Sequence, residues 1–222
     1  MNISDDAMIK NNFLNKMMNS RYVIVSVLIY FLLTQFIHIV IPVKFLNDQL
    51  VSHTILFVLV SIAICFLSLF YSPENIKISN VNKFICYSIC GIICCVAINF
   101  PYGIWLNKLP VKPKEYAIYL SYGPMAKIYF LVLLCLVGPI VEEIFCRLYI
   151  YNMIKADFDV TIGIVVSSFL YMVLHGLRID FIHLFIPGVI YALVYEKTKS
   201  IWSSIVVHGF NNLIWFSLVY YA

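Results

Sequence analysis

The chain has 222 residues, of which 63% are hydrophobic and only 12% are charged, and its mean hydropathy is +0.93. A soluble globular domain carries about 25% charged residues, so this composition excludes that class and predicts a multi-pass integral membrane protein. The formal net charge of +4 comes from scattered lysines and arginines. Without a block of like charges, a nucleic-acid partner is not expected.

Apolar stretches alternate with polar or proline-containing connections from residue 22 to the end of the chain. Since a transmembrane helix needs about 20 apolar residues, we predict an all-α, polytopic transmembrane helical bundle of about seven spans. The predicted spans are 22–42, 52–72, 83–100, 127–151, 158–175, 181–197 and 201–221. Residues 22–222 then form a single transmembrane domain. Residues 1–21 precede it as either an interfacial helix or a polar tail.

The connection 101–126 and the span 83–100 each contain a distinctive set of residues. The longest connection, 101–126, combines four prolines with interfacial aromatic residues and is predicted to be a surface loop. The short span 83–100 contains four cysteines at helical spacing, namely Cys86, Cys90, Cys94 and Cys95. Zinc sites usually combine two separated cysteine pairs. We therefore interpret these cysteines as small buried hydrophobic residues.

The span 127–151 carries three charged residues in an apolar setting, Glu142, Glu143 and Arg147. An ionised group at membrane depth costs about 2.5–3.5 kcal/mol on insertion scales, so these groups are expected to face a protein interior. Glu143 and Arg147 are four residues apart and share a helix face, which predicts an ion pair. Glu142 points about 100° away and remains available as a general base. The alternative is that all three charges only hold helices together.

Further polar side chains occur near the end of 158–175 and within the last span. Tyr171 and His175 are four residues apart, as are His208 and Asn212, so each pair can share one helix face. Asn211 lies three residues after His208 and shares that face less well. A lone histidine at the end of a span is more often a packing residue, and His208 with Asn212 also suits interhelical hydrogen bonding.

Polar groups on three separate spans are expected to face one common site in the protein interior, because each is costly when it faces lipid. One polar intramembrane cavity satisfies all of them, and Gly209 leaves room there for the close approach of a helix or substrate. A glutamate, two histidines and an asparagine can activate water and stabilise an oxyanion, as peptide hydrolysis requires. The sequence therefore predicts a catalytic cavity.

The three motifs occur in the order Glu142-Glu143-Ile-Phe-Cys-Arg147, Tyr171-Met-Val-Leu-His175 and His208-Gly-Phe-Asn-Asn212. In this pattern the chain resembles the CPBP family of intramembrane endopeptidases. That family includes CAAX prenyl proteases and the bacteriocin-processing or self-immunity proteins called Abi. The resemblance covers about residues 124–215 and implies a CPBP-like catalytic core there.

The resemblance implies that Glu142 activates the hydrolytic water with help from His175, and that His208 and Asn212 hold the oxyanion. It implies that Glu143 and Arg147 form a structural ion pair. Two residues depart from the family pattern. Tyr171 replaces the usual phenylalanine and adds a hydroxyl to the site, which it is expected to line together with Asn211. Leu148 stands where many members have glycine.

Metal dependence follows neither from the motifs nor from the resemblance. Glu142, His175 and His208 are the three side chains that would bind zinc, if zinc were the cofactor. The chain has no His-Glu-x-x-His helix, and a metal-bound Glu142 would no longer serve as the base. We therefore favour a mechanism without a cofactor and keep zinc as the alternative.

These observations predict an intramembrane endopeptidase in a bacterial plasma membrane, with the lipid bilayer and a peptide or membrane-associated protein substrate as its partners. The resemblance suggests a role in bacteriocin maturation or self-immunity. A first alternative is a non-catalytic immunity protein that binds a bacteriocin in the same cavity. A second is a small transporter, against which the chain shows no inverted repeat.

Overall fold

The computed structural model describes residues 76–107, 123–175 and 181–220, and every regular element within these ranges is helical. The predicted tail at 1–21, the predicted spans 22–42 and 52–72, and most of the predicted 101–126 loop lie outside the described residues. The all-α fold class is thus confirmed for the described part, whereas the number of spans remains a prediction.

The first described helix, α1, runs from Val81 to Asn107 and includes Pro101. The Asn80 side chain precedes it and accepts a hydrogen bond from the Lys83 N–H at 2.9 Å, which satisfies one free donor of the first turn. The predicted span 83–100 was therefore too short, because Pro101 does not end the helix. Among the described helices, only the stretch Val81–Ile104 is both long and apolar enough to cross a membrane.

Residues 124–157 form one continuous helical run that is divided by two π-helical segments. The successive elements are α2 (Pro124–Val132), π1 (Leu133–Val137), α3 (Gly138–Glu143), π2 (Ile144–Tyr151) and α4 (Asn152–Asp157). The predicted span 127–151 lies within this run. The sequence did not predict that π-helical segments would interrupt it. Both π segments directly flank the short helix that carries the two glutamates.

Pro139 cannot supply a backbone hydrogen-bond donor to the Leu134 carbonyl of π1. The Gly138 N–H donates to the Leu133 carbonyl, five residues earlier. In the same register the Leu134 carbonyl would accept from residue 139, but Pro139 has no N–H. The side-chain amide of Asn212 donates to that Leu134 carbonyl at 2.8 Å instead. A distant side chain thus satisfies the acceptor that Pro139 leaves open.

The remaining helices are α5 (Val160–Leu174), α6 (Phe181–Thr198) and α7 (Ile201–Tyr220), close to the predicted 158–175, 181–197 and 201–221. Asp159 caps α5 by accepting from the Ile162 N–H at 2.9 Å. Lys199 ends α6 in the left-handed region, with a φ of 54°, and donates its N–H to the Tyr195 carbonyl at 2.8 Å. That turn leads directly into α7.

Helix α7 packs against α1, α6, π1 and α3, while α5 packs against α6 and π2. Gly209 makes the closest of these approaches, because a Cβ atom there would lie 2.5 Å from the Cys135 carbonyl oxygen. The expectation that Gly209 permits close approach of a helix is therefore confirmed. This contact brings the backbone of π1 against the middle of α7.

The cysteines of α1 do not share one environment. Cys95 is fully buried, as the sequence analysis expected, whereas Cys86, Cys90 and Cys94 are exposed. The prediction of burial was wrong for these three because they lie on the face of α1 that also exposes Ile89 and other apolar residues.

A charged cluster joins the C-terminal end of α6 to the neighbouring connections. Glu196 accepts hydrogen bonds from Tyr151 and from Lys155, whose Nζ lies 2.7 Å from the carboxylate, and it also pairs with Lys199. These contacts fasten π2 and α4 to the α6–α7 turn.

Candidate active site

The carboxylate of Glu142 faces both histidines that the sequence singled out. Its Oε2 lies 3.5 Å from His175 Nε2 and 3.7 Å from His208 Nε2. Both separations exceed the usual length of a direct hydrogen bond. This oxygen is buried and has no hydrogen-bond partner among the described residues, although the side chain as a whole is 21% exposed. Helices α3, α5 and α7 therefore bring one carboxylate and two imidazoles to a common point.

His175 lies at the C-terminal end of α5, and its imidazole is oriented by its own helix. The ring Nδ1 is 2.9 Å from the Tyr171 carbonyl oxygen, which can only accept a hydrogen bond. Nδ1 therefore carries the hydrogen, and the Nε2 of neutral His175 is an acceptor that faces Glu142. About a third of this side chain is exposed.

His208 is oriented by Glu143, the second glutamate of the pair. Its Nδ1 lies 2.9 Å from Glu143 Oε1, and both side chains are buried. Arg147 Nε contacts the other carboxylate oxygen at 3.0 Å, and the Ser204 hydroxyl also donates to it. An ionised carboxylate accepts only, so Nδ1 of His208 is the donor. Glu143 thus holds Arg147, Ser204 and His208 together.

Arg147 connects the site to two further helices. Its remaining guanidinium nitrogens donate to Ser167 Oγ in α5 at 3.2 Å and to the Gly188 carbonyl in α6 at 3.0 Å. The side chain is fully buried, and every one of its three nitrogens has a partner. The predicted pair of Glu143 and Arg147 is thus present, within a larger network that fixes α5 and α6 around the site.

Tyr171 contacts both imidazoles. Its carbonyl orients His175, as described above, and its hydroxyl oxygen lies 3.2 Å from His208 Nε2. The side chain is buried, with 3% of its surface exposed. On another side of His208, the Tyr191 ring stacks on the imidazole, with centroids 4.5 Å apart. Two tyrosines therefore enclose the ring of His208.

The two asparagines of α7 point to different partners. The amide nitrogen of Asn212 donates to the Leu134 carbonyl of π1. Asn211 was expected to line the cavity, but its side-chain oxygen accepts a hydrogen bond from the buried Asn99 of α1. In this structure Asn211 therefore links α7 to α1.

Sequence reasoning missed Ser204 and Asn99. Ser204 precedes His208 by four residues, so the same spacing that joined His208 to Asn212 also indicated Ser204. Asn99 was visible as a polar residue near the end of an apolar stretch. The sequence did not reveal its partner Asn211, which lies 112 residues away.

Glu142, His175 and His208 have the donor types that zinc prefers. Within the described ranges, no group of three or more His, Cys, Asp or Glu side chains is arranged as a metal site. The preference for a mechanism without a metal stays a prediction.

Comparison with known proteins agrees with the motifs. Residues 124–214 match the family model described as type II CAAX prenyl endopeptidase Rce1-like. No curated protein and no solved structure matches the chain significantly. The matched segment contains every motif residue, from Glu142 to Asn212, and nearly coincides with the 124–215 inferred from the sequence. Residues 124–214 of the chain are therefore similar to the Rce1-like type II CAAX prenyl endopeptidases, in agreement with the resemblance found in the motifs.

Proposed function

We propose that this chain is an intramembrane endopeptidase that cleaves a peptide or a membrane-associated protein tail with a water molecule activated by Glu142. The family match supports a CAAX-type membrane protease. The observation that carries the specific mechanism is the meeting of Glu142 Oε2 with the Nε2 atoms of His175 and His208, at 3.5 and 3.7 Å.

The protonation pattern supports water activation at this point. With hydrogens on the Nδ1 atoms of His175 and His208, both Nε2 atoms are acceptors, and so is the Glu142 carboxylate. A water molecule between these groups can donate one hydrogen to Glu142 and the other to His175. The two acceptors that remain open to water, Glu142 and His175 Nε2, suit its binding and deprotonation.

Hydrolysis can then proceed with Glu142 as a proton shuttle. Glu142 takes a proton from water while the water oxygen bonds to the peptide carbonyl carbon. The carbonyl oxygen becomes an oxyanion in the tetrahedral intermediate. The same proton passes from Glu142 to the amide nitrogen as the carbon–nitrogen bond breaks. In this proposal His208 and Asn212 lie on the oxyanion side, and Glu143 with Arg147 keeps His208 in place.

Zinc is the alternative to carboxylate-activated water. Glu142, His175 and His208 would hold the ion, which would supply Lewis-acid activation of water. Because a metal-bound Glu142 would no longer serve as the base, we propose the mechanism without a metal. Incubation of the purified protein with a chelator should leave cleavage intact. Loss of cleavage that added zinc restores would contradict the metal-free mechanism.

For the biological role, we propose peptide processing in a bacterial plasma membrane, in bacteriocin maturation or self-immunity. The test compares membrane-associated peptides by mass spectrometry in cells that express the parent protein or the Glu142→Gln variant. This change keeps the shape of the side chain but removes the base. Products should be absent with Glu142→Gln. They should persist with Glu196→Gln, which alters a carboxylate outside the site.

The outcomes separate the candidate functions. Products that persist at parental levels in Glu142→Gln, His175→Ala and His208→Ala cells, with expression verified, would refute the enzymatic proposal. Protection against a bacteriocin that survives these substitutions would favour the non-catalytic binding alternative. The transporter alternative would require substrate flux in proteoliposomes.

A further inference from the structure

The hydroxyl of Tyr171 is a hydrogen-bond donor inside the candidate active site, and the proposed mechanism has not used it. It lies 3.2 Å from His208 Nε2, on a side chain that is 97% buried. The partner of His208 Nδ1, on the opposite side of the imidazole, decides which of these two atoms donates.

The contacts of His208 make Tyr171 the donor. Nδ1 donates to Glu143, whose carboxylate also accepts from Arg147 and Ser204. In the neutral form of His208, Nε2 therefore has no hydrogen, and the Tyr171 hydroxyl donates to it. In this tautomer His208 has no hydrogen to offer a developing oxyanion.

Asn212, the second residue expected to hold the oxyanion, already makes a hydrogen bond. The Asn212 side-chain nitrogen is committed to the Leu134 carbonyl, which Pro139 leaves without a backbone partner. One of its two hydrogens is therefore used to hold α7 against π1. Of the polar side chains that contact His208, Tyr171 is the one with a hydrogen directed toward the Nε2 side.

We propose that the Tyr171 hydroxyl is a catalytic oxyanion donor in this chain. It donates to His208 Nε2 in the resting enzyme and turns to the carbonyl oxygen of the substrate as the tetrahedral intermediate forms. No proton needs to leave the tyrosine, since the stabilisation is a hydrogen bond. This inference rests on the endopeptidase function proposed above and adds a group to it.

The test replaces Tyr171 by phenylalanine, which removes one oxygen atom and retains the backbone carbonyl that orients His175. Cleavage is measured with an internally quenched peptide built on the cut site identified by the membrane-peptide comparison. Loss of one oxyanion donor typically lowers kcat by about 10²–10³-fold. We expect a fall of that order for Tyr171→Phe, with KM within about threefold of the parent value.

The matched control is Tyr191→Phe. Tyr191 also contacts the His208 imidazole and is fully buried, but its hydroxyl has no hydrogen-bond partner among the described residues. Phenylalanine retains the ring that stacks on His208, so the fall in kcat should be far smaller than in Tyr171→Phe. Equal kcat values for the two variants would overturn the proposal. Because Glu142→Gln tests the endopeptidase function separately, an active Tyr171→Phe beside an inactive Glu142→Gln would refute only the role of Tyr171.

A second measurement does not depend on turnover. ¹⁵N spectra of histidine-labelled protein in lipid nanodiscs report which ring nitrogen carries hydrogen. His208 should show hydrogen on Nδ1 and none on Nε2, and the Nε2 signal should shift in Tyr171→Phe as its donor is lost. Hydrogen on Nε2 in the parent protein, or an unchanged signal in the variant, would overturn the proposal.

Discussion

Replacement of Arg147 by methionine is expected to destabilise the fold by about 3–5 kcal/mol. Glu143 and Arg147 are both fully buried and 3.0 Å apart, and removal of one partner from such a pair leaves an uncompensated charge. The substitution also removes the donors to Ser167 and Gly188. Since an unsatisfied buried acceptor costs about 1–3 kcal/mol, the loss should fall toward the upper end of the range.

The double variant Glu143→Leu, Arg147→Met separates charge balance from catalysis. Replacement of both members of a buried pair by apolar residues is often nearly neutral. Here a deficit of at least about 1–3 kcal/mol should remain, because His208 Nδ1 and the Ser204 hydroxyl lose their acceptor, and the donors to Ser167 and Gly188 are still missing. The double variant should therefore be more stable than the single variant and yet inactive, since the imidazole of His208 is no longer held.

Stability can be followed by reversible unfolding in detergent with far-UV circular dichroism, and activity with the same quenched peptide. Arg147→Lys is the control that retains the charge but not the planar guanidinium, and it should give an intermediate loss. A single variant within about 1 kcal/mol of the parent, or a double variant less stable than the single, would refute this account of the buried pair.

Two further predictions concern the contact between π1 and α7. Gly209→Ala should lower stability by about 1–3 kcal/mol, because its Cβ would lie 2.5 Å from a backbone oxygen; Gly123→Ala, which has open space around it, should change unfolding little. Pro139→Ala restores an N–H for the Leu134 carbonyl. The loss of stability on Asn212→Ala should therefore be smaller by about 0.5–1.5 kcal/mol in that background, and additive effects in the unfolding experiment would contradict this coupling.

The sequence predicted the parts of this structure that depend on local spacing. Helices α5, α6 and α7 begin and end within a few residues of the expected positions, because apolar length and flanking polar residues determine them. The pairing of Glu143 with Arg147 was accessible for the same reason, since a separation of four residues fixes a shared face.

The parts that the sequence did not reveal depend on how helices pack. The sequence analysis assigned Glu143 one partner, Arg147. In the structure Ser204 and His208 also contact it, although they lie 61 and 65 positions later in the chain. Asn211 and Asn212 are adjacent, and only the packing of α7 decides that one contacts α1 and the other π1. The length of α1 was missed because Pro101 was read as a helix end.

The two π segments determine the rotational phase of the glutamate pair. Each π-type turn contains an additional residue relative to an α-helical turn, and such insertions often occur at functional sites. Wound as a regular α-helix, the same residues of π1 would turn α2 by about 100° relative to α3. The same rotation separates Glu142 from Glu143. The wide π turns therefore determine which carboxylate meets the imidazoles, and they constrain the site as much as the acidic residues themselves.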